Sequence, residues 1–170
     1  MFRKDTMVIA EIPHLRRYAR ALMRDPDKAD DLVQNCLERA LGRFHLWQSD
    51  RALRPWLFAI MHNLHIDMIR HRSIRRGDVS LDDVGELPSQ AAGQEELLGA
   101  KAVLDAIDRL PQDHRDVLIL VGIDELSYSE AAKVLSIPTG TLMSRLHRAR
   151  AKLRENLGMA ERKPAIRRVK

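Results

Sequence analysis

The stretch YSEAAKVLSIPTGTLMSRLHRARAKL, Tyr128 to Leu153, carries two apolar rhythms of helical period separated by Ser136-Ile137-Pro138. Its second half is loaded with Arg and Lys. Ser127, one residue upstream, and Glu130 make an S-x-x-E capping box, in which each side chain satisfies a backbone N–H at a helix start. Pro138 suits the first turn of the next helix, where a missing N–H is no loss. A capped short helix, a tight turn and a basic helix follow in order, which is helix-turn-helix geometry. On the basic helix Leu142, Leu146, Ala149 and Leu153 share one face. Gly140, Ser144, His147, Arg148 and Ala151 point away, with Met143 at one rim and Thr141 and Arg145 toward the other. The small residues let the backbone approach a ligand surface. Thr141, Ser144, Arg145 and Arg148 can donate to phosphates, while Met143 and His147 can reach base edges. A solvated face would account for the charge alone; the capped helix and turn before it favour DNA.

Outward from this motif, every clear period is helical. Pro111 fits the first turn of a helix, and the C-terminal part divides into helices near 94–109, 111–123, 127–135 and 138–156. Upstream, DKADDLVQNCLERALGRFHLW places Leu32, Val33, Cys36, Leu37, Ala40, Leu41 and Phe44 three and four apart, and Asp25-Pro26 makes its start. LRPWLFAIMHNLHIDMIRHR carries a second stripe of Leu53, Trp56, Leu57, Ile60, Met61, Leu64 and Met68, with Trp56 central and read as core. IPHLRRYARALM supplies a shorter helix. Three helices with a common apolar face can close one small core. The expected fold is all-α, with two small helical domains joined by an acidic flexible linker. A three-helix domain spans 1–76, the linker 77–93, a four-helix helix-turn-helix domain 94–160 and a basic tail 161–170.

Charge follows the same division. Residues 1–76 hold 15 Lys/Arg and 9 Asp/Glu, a net of +6; residues 77–100 hold six acids and no base; residues 101–170 hold 14 bases and 9 acids, a net of +5. Two basic blocks flanking an acidic joint, with a pI near 9.7, point to a polyanionic partner. The single cysteine, Cys36, excludes an internal disulfide and reads as a core thiol. No apolar run approaches the roughly 20 residues needed to cross a bilayer, so the expectation is a cytoplasmic protein without membrane insertion.

Asp30, Asp31, Gln34, Asn35 and Glu38 fall largely outside the apolar stripe of their helix. Such a row is either a solvated face or a docking surface for a basic partner. Trp47 stands in the polar loop HLWQSDRA. Asn63 lies at the rim of its helix's buried stripe with an amide able to donate and accept, Arg70 near the same edge, and Asp67 closer to the apolar face, where an internal salt bridge competes with any outward role. His62 and His65 are three apart, but no third ligand joins them, so no metal site is expected. No nucleophile–base arrangement or phosphate loop is found; neither catalysis nor a cofactor is expected.

LPQDHRDVLILVGIDELSYSEAAKVLSIPTGTLMSRLHRARAKLRE resembles the −35-reading domain of extracytoplasmic-function (ECF) sigma factors of the sigma-70 family, above all in Gly140-Thr141, Ser144-Arg145-Leu146 and Arg148-Ala149-Arg150. DKADDLVQNCLERAL resembles the family's polymerase-clamp segment, and LRPWLFAIMHNLHIDMIRHR its −10 helix. The likeness covers roughly residues 10–157, in the family's order. LRRYARALMRDPDKADDLVQNCLERAL and WLFAIMHN are similar to the alphaproteobacterial general-stress branch. Two positions depart from the pattern. Ser136 replaces a turn glycine, which strains that turn by about 1 kcal/mol if it needs φ > 0. Met143 stands where many members carry Lys or Arg.

The resemblance implies a sigma factor that directs core RNA polymerase to promoters and helps melt them. Asp30, Asp31, Gln34, Asn35 and Glu38 would meet the β′ clamp, and the C-terminal domain the β flap. Trp47, Asn63 and Arg70 would serve the −10 element, with the Trp47 loop helping to capture an unstacked base. Thr141, Met143, Ser144, Arg145, His147 and Arg148 would serve the −35 element. An anti-sigma factor is implied as well, and the stress branch leans toward a small soluble one. The acidic linker is either a plain tether or a charge mimic of nucleic acid in the polymerase channels. Two rival readings stay open: a helix-turn-helix regulator acting without core polymerase, and a sigma mimic that sequesters an anti-sigma factor.

Overall fold

The computed structural model describes residues 2–23, 25–48, 51–76 and 94–159. The acidic linker 77–93 and the basic tail 161–170 lie outside the described residues. All regular structure among those described is helical. The N-terminal half holds α1 (Phe2–Met23), α2 (Pro26–Gly42), a 3₁₀ turn (Phe44–Leu46) and α3 (Leu53–Arg76). The C-terminal half holds α4 (Gln94–Asp108), α5 (Gln112–Leu118), α6 (Tyr128–Val134) and α7 (Thr139–Asn156).

Local chemistry sets the helix starts. Asp25 caps α2, its carboxylate accepting from the N–H groups of Asp27 and Lys28 at 3.1 and 3.2 Å, and Pro26 opens the first turn. The Ser127–Glu130 capping box forms as expected, with both reciprocal bonds present. Pro111 and Pro138 each stand one place earlier than expected, as the N-cap residue of α5 and α7. Helix α1 is longer than IPHLRRYARALM. Pro13 lies inside it instead of near its start, and Val8, buried with Leu15, Tyr18, Ala19 and Leu22, anchors the added turns. The expected 111–123 helix is split, since α5 ends at Leu118 and a π-helical turn follows over Ile119–Ile123.

Helices α1, α2 and α3 close around Leu15, Tyr18, Leu32, Cys36, Leu57, Phe58 and Met61. The Tyr18 and Phe58 rings stack with centroids 4.6 Å apart. This stack rotates the buried face of α3. Phe58, His62 and His65 are buried, while Trp56, Ile60, Leu64 and Met68 are only half-buried. Trp56 is therefore not the centre of that core, as its position in the stripe implied. The C-terminal core is aliphatic, from Val117, Ile119 and Leu120 to Ala131, Val134, Leu142 and Leu146.

The two halves pack on one another, α3 against α6 and α1 against the π-helical turn. Among the described residues no helix is long and apolar enough to cross a membrane.

Candidate nucleic-acid and polymerase interfaces

Helix α7 is fixed by Leu142, Leu146 and Ala149, all buried, with Leu153 half-buried. Its opposite side presents Met143, Ser144, His147 and Arg148 to solvent. Ser144 Oγ donates to the Thr141 carbonyl at 2.9 Å, and Arg148 Nη2 lies 3.4 Å from Ser144 Oγ. A Cβ added at Gly140 would meet nothing within 4 Å, so internal packing does not demand glycine there. Thr141 is half-buried. Arg145 is half-buried too, and its Nε pairs with Asp113 of α5 at 3.4 Å, so its charge is shared within the domain. The turn before α7 holds Ser136 at φ 54°, the left-handed conformation a glycine would take without strain.

Behind this face α5 carries a buried polar cluster. Arg115 Nη2 donates to the carbonyls of Asp108 and Leu110 at 2.7 and 3.2 Å. Asp116 accepts from Gln112 at 2.6 Å, yet burial pushes its carboxyl up to about 7.

Helix α2 commits Ala29, Leu32, Val33, Cys36 and Ala40 to the core and leaves Asp30, Asp31, Gln34, Asn35 and Glu38 all exposed. Gln34 Nε2 donates to Glu38 Oε1 at 3.1 Å, which orders part of the row. Cys36 is the expected core thiol. Its Sγ lies 3.5 Å from the Leu57 carbonyl, and burial pushes it up to about 12.

The Trp47 ring sits half-buried and tilted against Phe44 with centroids 5.2 Å apart, and Trp56 meets the same Phe44 edge-on at 6.0 Å. The Trp47 indole N–H is buried and has no hydrogen-bond partner. Both tryptophans line a cleft of about 610 Å³ with Leu46, Arg51 and, from α6, Glu130 and Lys133. Asn63, Asp67 and Arg70 are exposed along one side of α3 and do not line this cleft. Asp67 thus lies outward, away from the apolar face on which an internal salt bridge was considered.

His62 and His65 are core residues. The Tyr18 hydroxyl lies 3.3 Å from His62 Nδ1, and His65 Nδ1 lies 3.2 Å from Met23 Sδ. Burial lowers both imidazoles to about 4. Among the described residues no group of three His, Cys, Asp or Glu could hold a metal ion.

Sequence comparison matches residues 8–62 to the Sigma2 domain of PhyR and residues 100–153 to sigma-70 region 4. The ECF RNA polymerase sigma factor EcfG of Rhodopseudomonas palustris is 40% identical over 146 residues, 86% of this chain and 80% of the relative. This chain belongs to the ECF RNA polymerase sigma factors. As a member it directs transcription initiation. SigW of Bacillus subtilis is 33% identical over 146 residues, 76% of this chain and 75% of that one. In structure the sigma factor resembles RpoE of Bartonella quintana, solved in complex with the anti-sigma factor NepR. The TM-score is 0.83 at 30% identity, covering 95% of this chain and 100% of RpoE.

Sequence reasoning missed the contact between the halves. Arg17 of α1 pairs with Asp124 at the end of the π-helical turn, 107 residues away, at 3.0 Å. No local pattern marks either residue as half of such a pair. The place of α6 in the Trp47 cleft was missed for the same reason.

Proposed function

We propose that this sigma factor meets polymerase and promoter through three separate faces. The exposed α2 row of Asp30, Asp31, Gln34, Asn35 and Glu38 docks a basic surface of core RNA polymerase, the β′ clamp by family likeness. The N-terminal half handles the melted −10 strand with Trp47, Asn63 and Arg70. Stacking holds an unpaired base, and a protein contact that captures it offsets an unstacking cost of about 1–2 kcal/mol per step. Arg70 supplies charge to the strand backbone. Helix α7 enters the major groove at −35, with Arg148, Thr141 and Ser144 on phosphates, Met143 and His147 at base edges and Arg145 steadied by Asp113. The C-terminal half also meets the β flap. An anti-sigma factor regulates the chain, as the RpoE–NepR complex supports, and the site of action is the cytoplasm.

One observation carries the reading: α2 buries Ala29, Leu32, Val33, Cys36 and Ala40, with Leu37 half-buried and Leu41 exposed, while its whole acid and amide row stays outward. A conventional helix-turn-helix regulator has no use for that row. Asp31→Arg combined with Gln34→Ala should therefore weaken binding to core polymerase by several kcal/mol, about the cost of reversing an interfacial charge, while leaving helicity unchanged. Fluorescence titration against core enzyme checks this, and unchanged affinity would remove the face from the mechanism. A wild-type chain that ignores core polymerase altogether would instead support the sigma-mimic reading.

A further inference from the structure

Thr141, Arg145 and Arg148 are spaced four and three apart and share one edge of α7. Arg148 faces solvent beside Ser144. Arg145 is tethered sideways instead, with its Nε 3.4 Å from Asp113 Oδ2 in the first turn of α5, the helix packed against α7. The Arg145 charge also reaches Asp116, buried one turn further along α5. Asp113 lies outside the helix-turn-helix, and its carboxylate is the one that meets this edge of the basic helix directly.

A carboxylate set against Nε leaves the end of the guanidinium fork unused. Among the described residues neither terminal nitrogen of Arg145 has a hydrogen-bond partner, so both remain for an end-on contact with a phosphate. An unrestrained arginine gives up rotamer freedom to make that contact, and a carboxylate that already fixes Nε lowers the cost. Repulsion between carboxylate and phosphate opposes this. Water screens it here, because the Arg145 and Asp113 side chains are 31% and 45% exposed. We propose that Asp113 is a positioning residue for DNA binding, which holds Arg145 by Nε and aims the end of its guanidinium at a phosphate beside the groove that α7 enters. Its effect on DNA rests on the reading of α7 as the −35 helix given above.

The test uses holoenzyme assembled from core RNA polymerase and the full chain, titrated with a pool of short fluorescent duplexes over a range of salt. Core polymerase alone supplies the background. Asp113→Asn is nearly isosteric at a half-exposed position and should leave helicity unchanged. It should weaken binding about fivefold at physiological salt, evenly across sequences, and make the salt slope shallower by about 0.9, the value of one phosphate contact. Loss of a negative charge without loss of positioning predicts the reverse, tighter binding with a steeper slope. Asp113→Glu keeps the anchoring carboxylate and should restore the wild-type slope. Arg145→Met should match Asp113→Asn, and the double variant should lose no more than either alone. An unchanged or steeper slope in Asp113→Asn overturns the proposal, even where binding weakens, since a purely structural role would leave the slope alone. No rescue by Asp113→Glu, or losses that add in the double variant, overturn it too. Failure of the −35 reading has its own signature: Arg148→Ala would then leave the slope unchanged as well.

Discussion

The two halves of this sigma factor bury ionisable groups of opposite kind. The N-terminal core encloses His62 and His65 as neutral imidazoles beneath the Tyr18–Phe58 stack. The C-terminal core encloses Asp116, whose carboxyl burial raises to about 7, beside Arg115. Each half hides a group that prefers to be uncharged, but acid charges a histidine and neutralises a carboxylate. The halves should therefore answer a fall in pH in opposite directions, although both are small helical bundles built on the same apolar periodicity.

The largest effect expected follows from this. Each histidine sits at about 4 in the folded chain against 6.5 unfolded, so the unfolded state binds more protons between those values. Their contribution is fully present above pH 6.5 and is lost as pH falls toward 4, on the order of 3 kcal/mol for each. Asp116, raised from 3.8 to about 7, works the other way: the folded state holds the extra proton, and its penalty is relieved as pH falls below 7. Cys36 lies in the N-terminal core and reacts only when that core opens. Its trapping by an acid-tolerant disulfide reagent should accelerate from pH 7 to pH 5, and His65→Leu should flatten that rise. A pH-independent trapping rate would break the comparison.

A second contrast concerns DNA. By the proposed mechanism the N-terminal half handles a single strand and the C-terminal half a duplex. Asn63→Ala should then impair open-complex formation more than closed-complex binding, by about 1–3 kcal/mol for one lost contact, and a pre-melted promoter should rescue most of the defect. Permanganate footprinting of melted thymines reads this out. Equal defects on duplex and pre-melted templates would make Asn63 a structural residue.

The smallest effects lie in the helix-turn-helix itself. Ser127→Ala removes the capping box and should lower the stability of the C-terminal half by about 1 kcal/mol. Ser136→Gly should raise it by up to about 1 kcal/mol, because φ 54° strains serine and not glycine. Thermal melts of the two variants should move in opposite directions.

Features written in neighbouring residues were legible in the sequence. The Asp25-Pro26 start, the Ser127–Glu130 box and the buried faces of α2 and α7 all depend on residues one to four positions apart. The register of α3 was harder to read. Hydropathy placed Trp56 at the centre, whereas Phe58 stacks on Tyr18 from another helix and His62 and His65 turn into the core beside it. The extra turns of α1 before IPHLRRYARALM were not legible because nothing local shows that Val8 has a core to reach. The π-helical turn, the Arg17–Asp124 pair and the Arg145–Asp113 pair rest on tertiary contacts that no periodicity encodes. Of the candidate site, the exposed rows on α2 and α7 were legible from helical phase. The Trp47 cleft was not, since α6 supplies one of its walls.

Selection of −35 sequences from a randomised library tests the central claim, that α7 reads DNA as well as being attracted to it, most directly. The bound pool is sequenced with the wild-type chain, with Arg148→Ala and with Met143→Arg. Arg148→Ala should weaken binding nearly uniformly across the library and flatten its salt dependence, since a phosphate contact carries no sequence information. Met143→Arg should reorder the library toward guanine by about 1–3 kcal/mol at the contacted position, as a thioether gives way to a bidentate donor. A ranking untouched by both Met143→Arg and His147→Ala would reduce α7 to an electrostatic face and contradict groove reading.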